Sequence, residues 1–182
     1  MTVAQFLDWP GDGTGARFEL VDGAPRAMAP ASATHAIIQA NAAAAIATHL
    51  RTHGLRFRAG IRGPVTPPLK SRINARAPDV TVTCAPPSDS PVFEDPILIV
   101  EVISPSGETQ TWESIRALAA LTSLREILIV SSTSVEAQVF RRDASGAWPY
   151  EPDVVGQDGV ARLDSIGLAL PMAEIYRGTH LA

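Results

Sequence analysis

The hydrophobic pattern changes period several times along the chain, and each change marks an element. Residues 97–103 read Ile-Leu-Ile-Val-Glu-Val-Ile, apolar on both faces apart from one position. Continuous apolar character rich in β-branched side chains predicts a strand buried inside a sheet. Residues 126–131 repeat that character, residues 135–142 alternate, and residues 80–83 form a shorter alternating strand opened by Pro78-Asp79. The Pro/Ser-rich stretch between residues 84 and 96 reads as a loop. From Ser32 to His53 the chain is crowded with alanine and closes at Gly54, which fits a serine cap, a long helix and a glycine stop. Residues 111–121 predict a second helix, and a last helical turn is expected over 172–176, after short β pieces.

Ahead of these, Thr2 and Gln5 form a capping box for a helix over 3–8, which Pro10 and the Gly-Asp-Gly-Thr-Gly stretch terminate. That stretch has the look of a phosphate-binding loop, but no strand precedes it and no helix begins at its end, so a connector is expected. Asp22-Gly23 between two short extended runs predicts a β-hairpin over 17–29. The order is hairpin, helix, strands, helix, strand, strand. It implies a mixed sheet with helices packed on it, α/β or α+β in class, and no repeat or linker divides residues 1–182 into separate domains.

Composition narrows the setting. A chain of 182 residues, 46% hydrophobic, buries enough surface for a core without disulfides or a structural metal. The single cysteine, Cys84, has no partner, and the first ten residues lack the basic and apolar regions of a signal peptide, so a reducing cytoplasm is expected. No apolar run approaches the roughly 18 residues of a membrane span.

Charge is distributed unevenly. The net charge of −4 conceals a block, Gly23 to Pro78, without any Asp or Glu. This block carries Arg26, Arg51, Arg56, Arg58, Arg62, Lys70, Arg72 and Arg76, so it holds +8 while the rest of the chain is acidic. A local basic surface serves a polyanion whatever the global charge, since salt screens phosphates beyond about 8 Å. The bland alternative pairs the block with the acidic half, within the chain or across a homodimer. His49 and His53 stand one helical turn apart, a spacing suited to zinc, but no third ligand is evident nearby.

Glu101 is the residue out of place. It interrupts the apolar strand on the face of Ile97, Ile99 and Ile103, where an ionised carboxylate costs several kcal/mol unless a cation or hydrogen-bond donors compensate. Asp79 opens the preceding strand, so neighbouring strands would let the two carboxylates converge. Paired oxygen donors of this kind suit magnesium or manganese. The alternative is an arginine partner for Glu101, with Arg76 or Arg62 available.

Pro78-Asp79, then Glu101 followed by Val102-Ile103-Ser104-Pro105-Ser106, resembles the PD-(D/E)XK nuclease superfamily and, more narrowly, the Uma-two family of restriction endonucleases. The likeness extends to Thr2-Val3 with Phe6-Leu7, to Phe18-Glu19-Leu20-Val21-Asp22-Gly23, to Met28-Ala29-Pro30 with His35, and to Ser123-Leu124-Arg125-Glu126. It implies a restriction-endonuclease-like fold, a mixed central sheet flanked by helices. It also implies a site in which Asp79 and Glu101 hold the metal, Glu19 adds a third acid and His35 lies nearby. For Glu19 an arginine-paired hairpin carboxylate is the alternative, and for His35 a structural hydrogen bond.

The chain departs from the superfamily at its lysine, two residues beyond the glutamate, which is Ile103 here. Relatives that carry the lysine on the following helix would place it at Ser114. The only lysine is Lys70. Arg116, on the same predicted helix as Ser114, could stabilise charge but could not act as a base. Two readings follow. One is a magnesium- or manganese-dependent endonuclease on DNA, with Arg58, Arg62, Lys70, Arg72 and Arg76 carrying the nucleic-acid backbone. The other is a catalytically impaired nuclease fold serving as a nucleic-acid-binding or protein-interaction module.

Overall fold

Local signals build the first elements of the computed structural model, which describes residues 1–182. Helix α1 (Val3–Leu7) carries the full capping box, each of Thr2 and Gln5 accepting the other's backbone amide. Strands β1 (Phe18–Val21) and β2 (Ala24–Ala27) are joined by Asp22 and Gly23 at φ 48° and 81°. Positive φ at both central residues is what a tight type I′ hairpin turn demands. Helix α2 (Ala33–Thr52) starts where Ser32 accepts the His35 amide and stops before Gly54, at φ 61°. It buries Ile38, Ala42, Ile46 and Leu50, a stripe at four-residue spacing.

Six strands make the main sheet, in the order β3 (Arg58–Ile61), β4 (Val80–Thr83), β5 (Pro96–Ile103), β6 (Glu126–Ser131), β7 (Ala137–Arg141) and β8 (Asp153–Val155). All neighbours are antiparallel except β5 and β6, which are parallel and joined through helix α3 (Glu108–Leu118). A parallel pair needs such a crossover, and strands covered on both faces are apolar throughout. Strands β9 (Val160–Leu163) and β10 (Leu168–Pro171) form a separate hairpin before α4 (Met172–Tyr176).

One face of the sheet packs on α2, α4 and the β9–β10 hairpin, with Leu98, Val100, Val102, Leu128 and Val130 in the larger core. On the other face Ile99, Ile127 and Ile129 meet Ile115 and Leu118 of α3. The α4 end is tied down by Tyr176, whose hydroxyl lies 2.7 Å from the Ser131 carbonyl and accepts the Glu136 amide at 3.2 Å. Burial pushes this phenol up to about 12.

Two expectations shift. Helix α3 begins three residues earlier than 111–121, because the Thr111 amide donates to Gly107 O and Glu108 occupies the first turn, where helix polarity favours an acid. Residues 58–61, which had no strand pattern, pair with β4 as an edge strand. Gly60 within this strand and Gly63 just after it lie against the Phe93 ring, and a Cβ at either would overlap it. No helix is long and apolar enough to cross a membrane.

Candidate active site

Strand register brings the two carboxylates together. Val80 pairs with Val100, so one further step places Asp79 opposite Glu101. Opposite residues of an antiparallel pair project to the same face. Both acids are buried, and both line a cleft of about 480 Å³ together with Glu19 from β1, His35 from the first turn of α2, and Arg62 from the end of β3.

Asp79 is held from several directions. Its Oδ2 accepts the Val102 amide at 2.8 Å, while Oδ1 lies 3.0 Å from His35 Nε2 and 3.6 Å from Arg62 Nε. Since a carboxylate accepts, His35 donates through Nε2, and its buried Nδ1 is left without a partner. Glu19 is not a surface carboxylate. Its Oε1 accepts the Ala77 amide at 3.1 Å and its Oε2 the Ser114 hydroxyl at 2.9 Å, with Arg26 at 3.6 Å.

Glu101 differs from both. No arginine, lysine or histidine nitrogen lies within 4.0 Å of its carboxylate, so the arginine partner considered from sequence is not there. Burial, then the charges of Asp79 and Glu19, push its carboxyl well above the usual range, and the Asp79 amide and Arg62 only partly oppose this.

The basic block does not act as one surface. Arg62 alone of the five expected backbone contacts lines the cleft. Arg76 is buried and donates to Leu20 O at 2.7 Å, and Arg58 donates to the carbonyls of Ala85 and Pro86. Lys70 pairs with Asp22 at 3.1 Å, Arg72 is exposed, and Arg116 is exposed outside the cleft. His49 donates to Ile166 O and stacks on His53, with no acid between them.

Two contributors escaped the sequence reading. Thr14 to Arg17, which include the end of the supposed connector, form one wall of the cleft. Gln39 donates to Asp79 O at 2.9 Å and accepts from Arg62 Nε at 3.0 Å. Its signal was available, since it is the one amide in the buried stripe of α2, four residues after His35.

No three Asp, Glu, His or Cys side chains are spaced to enclose a metal ion. Magnesium, however, is commonly held by one or two carboxylates with water completing its shell. Asp79 and Glu101 are the pair whose donor chemistry fits.

A six-stranded mixed central sheet flanked by helices is the restriction-endonuclease-like class of fold. A crystal structure of a "putative nuclease belonging to DUF820" from Anabaena variabilis shares it, with a TM-score of 0.77 over 97% of each chain at 18% identity. The chain belongs to the Uma2 family, described as "Putative restriction endonuclease", whose model matches residues 3–173. An uncharacterized protein of Synechocystis sp. is 30% identical over 98% of this chain and 92% of its own length.

Proposed function

We propose that the protein is a magnesium- or manganese-dependent endonuclease that hydrolyses DNA phosphodiester bonds. The observation that carries the reading is Glu101, a buried carboxylate without a cation, facing Asp79 across two strands and opening on a cleft. Family membership supports the same chemistry. Asp79 and Glu101 would hold the divalent ion, which supplies an acidified water and a Lewis-acid contact to the phosphate. His35 and the Val102 amide fix the rotamer of Asp79, so its oxygens are oriented before any ligand arrives. Glu19, held by Ser114 and Ala77, adds negative potential that favours cation entry. Arg17 on the rim meets the nucleic-acid backbone.

A second reading has its own support. The resemblance puts Ser114 at the position where some relatives would carry lysine, and its hydroxyl is committed to Glu19, which favours a binding module without turnover. Cleavage of supercoiled plasmid with magnesium or manganese separates the two. The wild type is expected to cut, and Asp79→Asn and Glu101→Gln to lose at least about 10² to 10³ in rate while melting cooperatively. A wild type that binds DNA in a salt-sensitive manner but cuts with neither metal would establish the binding module instead.

A further inference from the structure

The cleft contains carboxylates and no lysine. On the reading above, charge that builds on the phosphate during hydrolysis needs a side-chain cation other than lysine. We propose that Arg62 is this cation, a catalytic arginine whose guanidinium receives the phosphate diester beside Asp79 and stabilises it through the reaction.

The backbone of Arg62 is fixed with unusual care. Its amide donates to both Pro78 O at 3.0 Å and Asp79 O at 3.3 Å, and its φ is 51°. A non-glycine residue in the left-handed region costs about 1–2 kcal/mol and persists only where its surroundings enforce it. Here the enforcement comes from those two hydrogen bonds and from Phe93, packed against Gly60 and Gly63 on either side of the turn.

The side chain is oriented but not satisfied. Nε donates to Gln39 Oε1, and Gln39 is itself oriented by donating to Asp79 O. The guanidinium plane is thereby set, yet its two terminal nitrogens make no hydrogen bond within the protein. The side chain is only 19% exposed. An oriented fork with both tines free matches two oxygens of a phosphate.

Arg17, the other arginine lining the cleft, is exposed and has no side-chain hydrogen bond or ion pair to orient it, and the remaining cations are engaged or distant. Arg26 pairs with Glu113, Arg76 bonds a carbonyl, and Arg116 lies outside the cleft. In the hydrolysis, water adds across a P–O bond, its hydroxyl to phosphorus and its proton to the departing alcohol oxygen. Arg62 neither gives nor takes a proton, since a guanidinium stays charged.

Two measurements test this. In plasmid cleavage, Arg62→Gln is expected to lower kcat by about 10² to 10³ with KM changed less than about threefold, and Arg62→Lys to recover at least about tenfold of the loss. Arg116→Gln should cut like the wild type. Independently of turnover and without metal, the Arg62 Nε–Hε resonance of the wild type is followed during titration with dimethyl phosphate, and is expected to shift saturably. Undiminished cleavage by Arg62→Gln would overturn the arginine's role and leave the nuclease reading standing. A wild type that cuts nothing, while the resonance still moves, would remove the nuclease reading and keep the phosphate site. A resonance that does not move overturns the proposal whatever the cleavage result.

Discussion

Two glutamates on adjacent parallel strands, Glu101 on β5 and Glu126 on β6, share a residue type and near-complete burial but not a physical situation. Glu126 is compensated on all sides. It accepts from Arg141 Nε at 2.8 Å, from the Asp164 amide at 2.9 Å and from the Ser165 amide at 2.7 Å. Glu101 faces like charges instead, and only the Asp79 amide and a more distant Arg62 lean the other way. Burial of a carboxylate therefore says little about its purpose. What distinguishes a structural acid from a site is whether the fold supplies its countercharge.

Substitution should separate the pair most sharply at Glu126. Glu126→Gln turns an amide group toward a backbone donor and weakens the Arg141 pair, so stability should fall by about 3 kcal/mol in denaturant titration. Next comes the metal. Magnesium or manganese at a hundredfold excess over its Kd should stabilise the wild type by about 2.7 kcal/mol, and should leave Glu101→Gln unmoved in thermal melts. Equal metal shifts in both proteins would place the ion away from Glu101.

Without metal at neutral pH, Glu101→Gln should gain about 1–2 kcal/mol, the opposite sign to Glu126→Gln, because an uncompensated buried charge is removed. The smallest effect lies in the pH dependence. Between the ordinary glutamate value of 4.5 and the raised value of the folded state, the native chain holds a proton that the unfolded chain has lost. Stability due to Glu101 should therefore fall as pH rises through that window, by at most about 1.4 kcal/mol per pH unit. Glu101→Gln should flatten this slope, and an unchanged slope would assign it to another group.

The contrast also shows where sequence was informative. Glu101 was conspicuous because apolar residues surround it in a strand that could only be buried, and the Pro78-Asp79 opening of the strand before it supplied the partner. The long helix and its caps were legible because their signals are local. Gln39, Arg62 and the wall from Thr14 to Arg17 were not recognised as one assembly, because their meeting depends on α2, β3 and the segment before β1 converging in space. Charge misled for a related reason. An acid-free stretch reads as a basic face, but Arg76 points inward to a carbonyl and Arg58 to two others. Strand β3 was invisible because an edge strand can take its order from the backbone of its neighbour.

The Phe93 ring between Gly60 and Gly63 makes three separated positions change as a unit. Alanine at residue 63 alone would meet the aromatic carbons, and a smaller side chain at residue 93 alone would leave the turn unsupported. Relatives that carry a larger residue at either glycine should therefore carry a smaller one at 93. In this protein Gly63→Ala should be disruptive by itself and milder when combined with Phe93→Leu. Such a compensating pair would show that the Pro/Ser-rich loop, which touches no carboxylate of the cleft, constrains the ancestry of the arginine beside it.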